Sequence, residues 1–582
     1  MLQSDTPQSA GKKLQLILCW HMHQPDYREY LRGEYVLPWT YLHAMKDYTD
    51  MAFHLEQHPQ ARAVVNFVPI LLEQLHDYEQ QFQSGEIRDA LLKMLKHERL
   101  DELGDEQRLH ILDSCFKSDH AKMLKPYRAY QHLFDLLKVL EGHGRENVTY
   151  LSGQYLADLL VWYHMVWMGE SLRRSSELVA RLMTKGSQFT YAERMELFGL
   201  IGAVIADIVP RYRKLAERGQ IEISSTPYNH PIMPLLIDFA AARESEPNAP
   251  LPQAVQYPGG LSRVHAHLAN AVESHRQNFG AAPHGMWPSE GGVSRATLKL
   301  LAEHGCEWTA TGQAVLANSL LREMNDHPLP GSSGYLYKPY QVETGGTPIY
   351  CFFRDDGLSD KVGFEYAKWK GDDAAADFVH HLEEILRHSP GEEDPVVTVI
   401  LDGENAWEYY PYNAYYFLSE LYAKLEIHPD IRTTTFHECI QSLNDPKSKV
   451  TASKLHQMVA GSWVYGTFST WIGSPDKNRG WDLLCDAKRS YDIVMASGRL
   501  NDEEKRLATL QLADCEGSDW FWWFGDYNSA LSVASFDNLF RRNLSNLYRL
   551  LKLPPPFELQ HVISVGSGDP AMGGTMRRSD GM

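Results

Sequence analysis

Residues 396–402 read VVTVILD, an apolar run that ends in an acid and is followed at once by Gly403. A run of apolar and β-branched residues predicts a strand covered on both faces, as in a parallel sheet between helices. The same order, a helical stretch, a glycine and a short apolar segment, recurs at 261–290 and at 294–311. The chain therefore predicts an α/β fold in which parallel strands alternate with helices.

The length of 582 residues suits a large (β/α) barrel, complete or incomplete, with additions. Residues 14–20 (LQLILCW) and 64–68 (VVNFV) read as the first two strands. The apolar spacing between about 71 and 209 is helical, which predicts a helical insertion. The sequence holds neither a glycine-rich dinucleotide fingerprint after a strand nor a phosphate-binding loop, so an open nucleotide-binding sheet is disfavoured.

Three units are expected along the chain. Residues 1–445 would form the barrel domain with its insertion, and residues 446–556 would form a helical domain that completes the substrate cleft. The last residues, 557–582, are rich in Gly, Ser and Met and are expected to be a flexible tail.

Composition excludes several classes of partner. Lys and Arg number 56 against 75 Asp and Glu, and a net charge of −19 disfavours nucleic acid and anionic membranes. No apolar stretch reaches the ~18 residues needed to span a bilayer. Seven widely spaced cysteines predict reduced thiols and a cytoplasmic location. The 14 Trp and 30 Tyr suit flat neutral ligands such as sugars.

Two acids end predicted strands. Glu290 ends the segment GMWPSE (285–290), and Asp402 ends VVTVILD. In a parallel barrel the carboxyl ends of all strands face the active site, so the two side chains are expected to share one cleft. Paired carboxylates serve glycosidic bond cleavage, where one attacks the anomeric carbon and the other protonates the leaving oxygen. The alternative is that each acid only caps or charges the start of a helix.

Other polar and aromatic side chains are candidates for binding a sugar: His21, His23, Gln24, Glu222, His230, Trp287, Arg354, Trp407, Trp463, Trp471 and Trp520. The two early histidines could instead bind a metal, but no third ligand is evident nearby, so no metal is assigned. Arg354 could lower the pKa of a catalytic carboxyl. Core packing is the alternative for the tryptophans, and a structural hydrogen bond is the alternative for Glu222.

Five motifs resemble, in order, those of glycoside hydrolase family 57. They are WHMHQPD (20–26), GQIEI (219–223), GMWPSE (285–290), LDGENAWE (401–408) and TWIGSPDKNRGW (470–481). The resemblance runs over about residues 14–530 and implies an incomplete (β/α)7 barrel followed by a helical domain. It also implies cleavage of α-glucans with retention and without a cofactor, with Glu290 as nucleophile and Asp402 as general acid/base.

Segments 227–235, 287–294, 402–411 and 516–523 are most similar to the amylopullulanase and α-amylase branch of that family. They imply hydrolysis of α-1,4 bonds in glycogen, starch or maltodextrin, with α-1,6 bonds as a further target. The same two acids would also serve a 4-α-glucanotransferase or branching enzyme, which is the alternative activity. A metal-dependent deacetylase and a non-catalytic glucan-binding protein are the alternatives from other classes. The sequence leaves the oligomeric state open.

Overall fold

A computed structural model describes residues 11–324, 333–568 and 576, and seven parallel strands form a closed barrel within it. The strands are β1 (Leu14–Met22), β2 (Ala63–Phe67), β3 (Ile221–Ser225), β4 (Gly285–Met286), β5 (Trp308–Gly312), β6 (Ile349–Arg354) and β7 (Val396–Asp402). Consecutive strands pair from β1 to β7, and β7 pairs with β1. The predicted (β/α) barrel is therefore confirmed, with seven strands.

The side chains of the strands alternate between two apolar cores. In β1, Ile17 and Cys19 belong to the core inside the barrel, whereas Leu16, Leu18 and Trp20 pack between the barrel and its helices. This alternation follows from the two-residue period of a strand. It also explains why β1 and β7 are apolar along almost their whole length, since both faces are covered.

The segment between β2 and β3 is helical, as the sequence predicts. Its helices are Pro69–Ser84, Ala90–Lys96, Asp105–Ser114, Arg128–Gly142, Gly153–Val166, Glu170–Ser175, Glu177–Lys185 and Tyr191–Glu217. The insertion thus occupies 69–217, slightly more than the expected 71–209.

Further helices connect the remaining barrel strands or follow the last of them, β7. They are Trp39–His43, Thr49–Gln57, Met233–Ile237, Ala242–Ser245, Gly260–Phe279, Arg295–Glu303, Gln313–Glu323, Asp356–Asp360, Gly371–His388, Tyr415–Ile427 and Phe436–Leu443. Two short strands, Arg28–Glu29 and Glu34–Tyr35, form a hairpin after β1.

The C-terminal region is helical and packs on the barrel. Its helices are Pro475–Ala496, Asp502–Cys515, Asp519–Trp523 and Ala530–Leu550. The expected border at 445 is not a clean break, because strand Ser453–Leu455 pairs with Tyr340–Val342 at the edge of β6. The two regions also share one apolar core, which joins Met286 of β4 to the C-terminal helices.

The start of the predicted flexible tail is ordered. Residues 557–560 form a short helical turn, and Leu559 and Ile563 are buried against the C-terminal helices. These apolar contacts explain why the tail does not begin at 557. Apart from Met576, the rest of the expected tail, from 569 onward, lies outside the described residues.

All seven cysteines are buried and free of disulfides. Among the helices in the described part of the chain, none is both long and apolar enough to cross a bilayer.

The bottom of the barrel, at the amino ends of its strands, is closed by one aromatic side chain. Strand Ile431–Thr434 pairs with β1, and helix Phe436–Leu443 follows directly. The Phe436 ring is fully buried against Trp308, 4.1 Å between ring centroids, and Phe352, 4.7 Å. We call this helix the plug helix, since it fills the barrel from below.

Replacement of the plug side chain tests this packing. Phe436→Ala is expected to lower the free energy of unfolding by about 3–5 kcal/mol, because a large cavity opens between aromatic rings. Denaturant melts followed by tryptophan fluorescence measure the change. Phe557→Ala is the matched control, since that ring is 65% exposed and its loss should change stability by less than about 0.5 kcal/mol. Equal melts for both variants would contradict the plug assignment.

Candidate active site

Glu290 lies on a strained turn that follows β4 after Trp287, Pro288 and Ser289. Its φ of 56° and that of Gly291, 59°, are left-handed, which costs an ordinary residue about 1–2 kcal/mol. Trp463, from the C-terminal region, makes two hydrogen bonds to Glu290. Its backbone N–H donates to the Glu290 carbonyl (3.1 Å), and its indole N–H donates to Glu290 Oε2 (2.9 Å). These two hydrogen bonds fix both the backbone and the carboxylate of Glu290. A strained backbone that surrounding contacts hold in place is typical of functional sites.

Asp402 is the last residue of β7 and pairs in register with His21 of β1. Burial raises the pKa of Asp402 to about 6, and a nearby Asp519 adds to the rise. A hydrogen bond from Asn405 to Oδ2 (3.1 Å) opposes that rise, as do the nearby His23 and Arg354. A carboxyl with a raised pKa can hold a proton near neutral pH and deliver it to a leaving group.

Arg354, the last residue of β6, connects the surroundings of the two acids. Its guanidinium carbon lies 5.1 Å from the centroid of a Trp463 ring, the same side chain that binds Glu290. Its positive charge acts on Asp402, where it lowers the pKa. Glu290 and Asp402 therefore both lie at the carboxyl end of the barrel, where a parallel barrel places its active site, and we call this region the cleft.

Two buried histidines belong to a hydrogen-bond chain at the floor of this cleft. Burial lowers the pKa of His21 to about 3 and that of His230 well below its usual range, so both rings are neutral. His21 Nδ1 lies 2.6 Å from the Asn66 amide oxygen, and His21 Nε2 lies 3.2 Å from His230 Nε2. His230 Nδ1 lies 2.7 Å from Ser518 Oγ.

Because both rings are neutral, each carries one proton, and the hydrogen-bond partners determine which ring nitrogen holds it. Asn66 accepts, so His21 carries its proton on Nδ1 and offers Nε2 as an acceptor. His230 then donates from Nε2 and accepts the Ser518 hydroxyl proton at Nδ1. Every ring nitrogen in the chain is satisfied, and the rings are held in fixed orientations.

His23 completes the histidine cluster and faces the C-terminal region. Its ring stacks on His230 with 3.9 Å between centroids, and its Nε2 lies 2.9 Å from Asp519 Oδ1. His23, His230 and Asp519 could in principle supply three metal ligands, since their ligand atoms lie within 4.8 Å of one another. The hydrogen bonds already described engage both nitrogens of His230 and Nε2 of His23, so these atoms are not free for an ion in this arrangement.

Glu222 lies outside the cleft, contrary to its expected role in sugar binding. It shares an interior layer of the barrel with Cys19 and Val64, one step below the layer of His21. Its two oxygens accept hydrogen bonds from the Trp308 indole (2.7 Å) and the His437 backbone N–H (3.0 Å). Glu222 is therefore a structural bridge to the plug helix, the alternative that its sequence position left open.

Four further candidates are buried away from the cleft surface. The Gln24 amide is engaged with Glu404 and Tyr27. Trp407, Trp471 and Trp520 are at most 1% exposed and pack in apolar cores, where a sugar ring could not reach their faces.

Trp287 is also buried, but it lies within the site. Its ring packs edge-on against Trp463, with 5.2 Å between centroids, and it is 6.4 Å from the ring of His21. It supports the residues that line the cleft.

Sequence reasoning missed two contributors to the site. Asn66 is a polar residue in the apolar strand VVNFV, and its position opposite His21 is the signal that could have identified it. Asp519 opens the aromatic helix 519–523 and contacts His23 across 496 residues of sequence. No local pattern indicates a contact over such a distance.

Comparison with known proteins agrees with this architecture. The sequence pattern of glycosyl hydrolase family 57 matches residues 17–453. No curated protein matches the chain.

Solved structures support the same fold. A GH57 branching enzyme from Thermococcus kodakaraensis has a TM-score of 0.56 at 14% identity, covering 92% of this chain and 90% of its own. A GH57-type branching enzyme from Pyrococcus horikoshii has a TM-score of 0.54 at 15% identity, covering 95% and 98%. The alpha-amylase AmyC from Thermotoga maritima has 0.54 at 14%, covering 93% of each. The chain belongs to glycosyl hydrolase family 57.

Proposed function

We propose that the protein is a retaining α-glucan hydrolase that cleaves α-1,4 bonds of glycogen, starch or maltodextrin in the cytoplasm. The observation that carries the proposal is the placement of two carboxylates around one Arg354–Trp463 pair. One of the two, Asp402, has a pKa raised to about 6, as a general acid requires. The similarity of segments 227–235 and 402–411 to the amylase branch supports hydrolysis over transfer.

Two displacements complete the reaction. In the first, Asp402 gives its proton to the glycosidic oxygen while the Glu290 carboxylate bonds to the anomeric carbon and the aglycone leaves. In the second, Asp402 takes a proton from water as the water oxygen bonds to that carbon and Glu290 departs. The net change is addition of one water across the bond, with the α configuration kept. Such chemistry needs the carboxyl groups ~5–5.5 Å apart.

The surrounding side chains position these steps. The Trp463 indole orients the Glu290 carboxylate, and the strained turn beneath it limits rotation. His23, whose Nδ1 has no hydrogen-bond partner among the described residues, and Asp519 present hydrogen-bonding groups that suit sugar hydroxyls. His230 stacks on His23 and, fixed by the chain through His21, holds that ring in place. We assign His21, Trp287 and Arg354 to positioning rather than to chemistry.

Replacement of Glu290 tests its role as the nucleophile. Glu290→Gln should lower kcat on maltoheptaose by about 10⁴-fold or more, because an amide cannot form the glycosyl ester. Circular dichroism should show an unchanged fold. Glu303→Gln is the matched control, since Glu303 is an exposed acid on the next helix, paired with Lys299. Wild-type turnover in Glu290→Gln would refute the assignment.

The pH profile tests the general acid. Activity, as kcat/KM, should fall above about pH 6, because Asp402 then loses the proton it must donate. Asn405→Ala removes a hydrogen bond that favours the ionised form, so the pKa rises and the alkaline limb moves to higher pH. Asn444→Ala, an exposed position, should leave the limb in place. A limb that stays fixed in Asn405→Ala would contradict the role of Asp402.

Product analysis separates hydrolysis from transfer. With maltoheptaose, a hydrolase creates one new reducing end for each bond broken, and proton NMR should show the α anomer first. A 4-α-glucanotransferase redistributes chain lengths at a constant number of reducing ends, and a branching enzyme adds α-1,6 links. Either of those outcomes would replace hydrolysis with the alternative activity while leaving both acids in place. Pullulan as a second substrate tests α-1,6 cleavage, and Glu290→Gln serves as the blank.

A further inference from the structure

A second cluster of ligand-type side chains lies at the opposite end of the barrel from the cleft. His284 immediately precedes β4, and Glu307 immediately precedes β5. The two residues are already joined, since the Glu307 backbone N–H donates to the His284 carbonyl (2.7 Å). His437 is the second residue of the plug helix beneath them. Three separate elements therefore meet at one point on the bottom face.

The cluster is compact and polar. The rings of His284 and His437 stack with 3.5 Å between centroids, at 17° between planes. One oxygen of Glu307 lies 2.9 Å from His437 Nδ1, and the other lies 3.8 Å from His284 Nδ1. Tetrahedral zinc with bonds of about 2.0–2.1 Å places its ligand atoms roughly 3.3 Å apart, close to the spacings between Glu307 and the two histidines. Because the ion must lie in the plane of each imidazole, the stacked rings have to rotate apart when it binds, and the half-exposed His284 side chain has room to do so.

We propose that His284, Glu307 and His437 form a structural site for a divalent transition metal, with zinc as the best match. Two imidazoles and one carboxylate are a ligand set that zinc accepts, and calcium or magnesium would prefer oxygen atoms alone. The side chains of His284 and Glu307 are 50% and 46% exposed, so an ion can enter and water can complete its coordination.

Gln441 fits the role of an outer partner. Its side-chain nitrogen lies 2.8 Å from His437 Nε2, one helical turn along the plug helix. With a metal on Nδ1, His437 carries its proton on Nε2, and Gln441 accepts that proton's hydrogen bond through its oxygen once the amide is turned. A partner of this kind fixes the ring tautomer and strengthens the metal bond.

The location gives the site a consequence for stability. His437 follows Phe436, whose ring closes the barrel, and its backbone N–H binds Glu222 inside. A metal bound here would tie the beginnings of β4 and β5 to the plug helix. Because only the folded chain brings the three ligands together, metal binding would raise the melting temperature.

Zinc binding to the whole 582-residue chain tests the inference. After treatment with EDTA and desalting, the protein is titrated with ZnCl₂ against a fluorescent zinc chelator, and melting is followed with and without 100 µM zinc. We expect about one zinc per chain and a higher melting temperature with zinc. Both effects should be lost in His284→Ala and in His437→Ala, and Gln441→Ala should weaken binding by about 10-fold.

Controls keep the result decisive. His265→Ala alters another surface pair, in which His265 Nδ1 lies 3.0 Å from His304 Nε2, and it should not affect zinc binding. Glu307→Gln changes the carboxylate with little change in volume, so it tests the site if a histidine variant unfolds. The inference is overturned if the wild type binds no zinc. It is also overturned if binding survives in His284→Ala and His437→Ala but is lost in Asp519→Asn, which would place the ion in the cleft.

Discussion

The barrel closes through a single backbone pair, at Arg354 of β6 and Thr398 of β7, and the rest of the site depends on that closure. The Arg354 side chain adds a further link between β6 and β7 beyond this pair, because its Nε donates a hydrogen bond to the Ile400 carbonyl (2.8 Å). The remaining guanidinium nitrogens bind Asp356 and Asp360. The cation that completes the sheet is thus the one that packs on Trp463 and acts on the Asp402 carboxyl.

The site is composite, since the barrel alone does not hold it. Trp463 and Asp519 come from the C-terminal region, and each contacts a barrel residue that faces the cleft, Glu290 and His23 respectively. The two Trp463 hydrogen bonds hold the strained turn at Glu290, which lies beyond the end of the two-residue strand β4. This explains why a short strand followed by an irregular WPSE segment can still present a carboxylate in a fixed place.

Much of the frame could be predicted from the sequence, because buried parallel strands are apolar along their length, and the acid Asp402 marks the carboxyl end of one of them. The sixth strand, Ile349–Arg354, was missed because no helix with a glycine stop precedes it. The two-residue period of a strand predicts which side chains face the barrel interior but not how far along the barrel axis they lie. The sequence therefore predicts Glu222 at the sugar-binding end, whereas its side chain lies one layer below His21. Contacts such as His23 with Asp519 depend on the packing of distant segments.

The helical insertion has a consequence for how the chain reaches this structure. The pairing of β2 with β3 joins residues 158 positions apart, as between Asn66 and Ser224. Bringing such distant strands together costs loop entropy before any ladder bond repays it. The local helices of the insertion shorten the effective loop once they form, so they should assemble before the sheet does. We therefore expect the rate at which this barrel refolds to depend on how fast the insertion folds, although the insertion contributes no strand to the barrel.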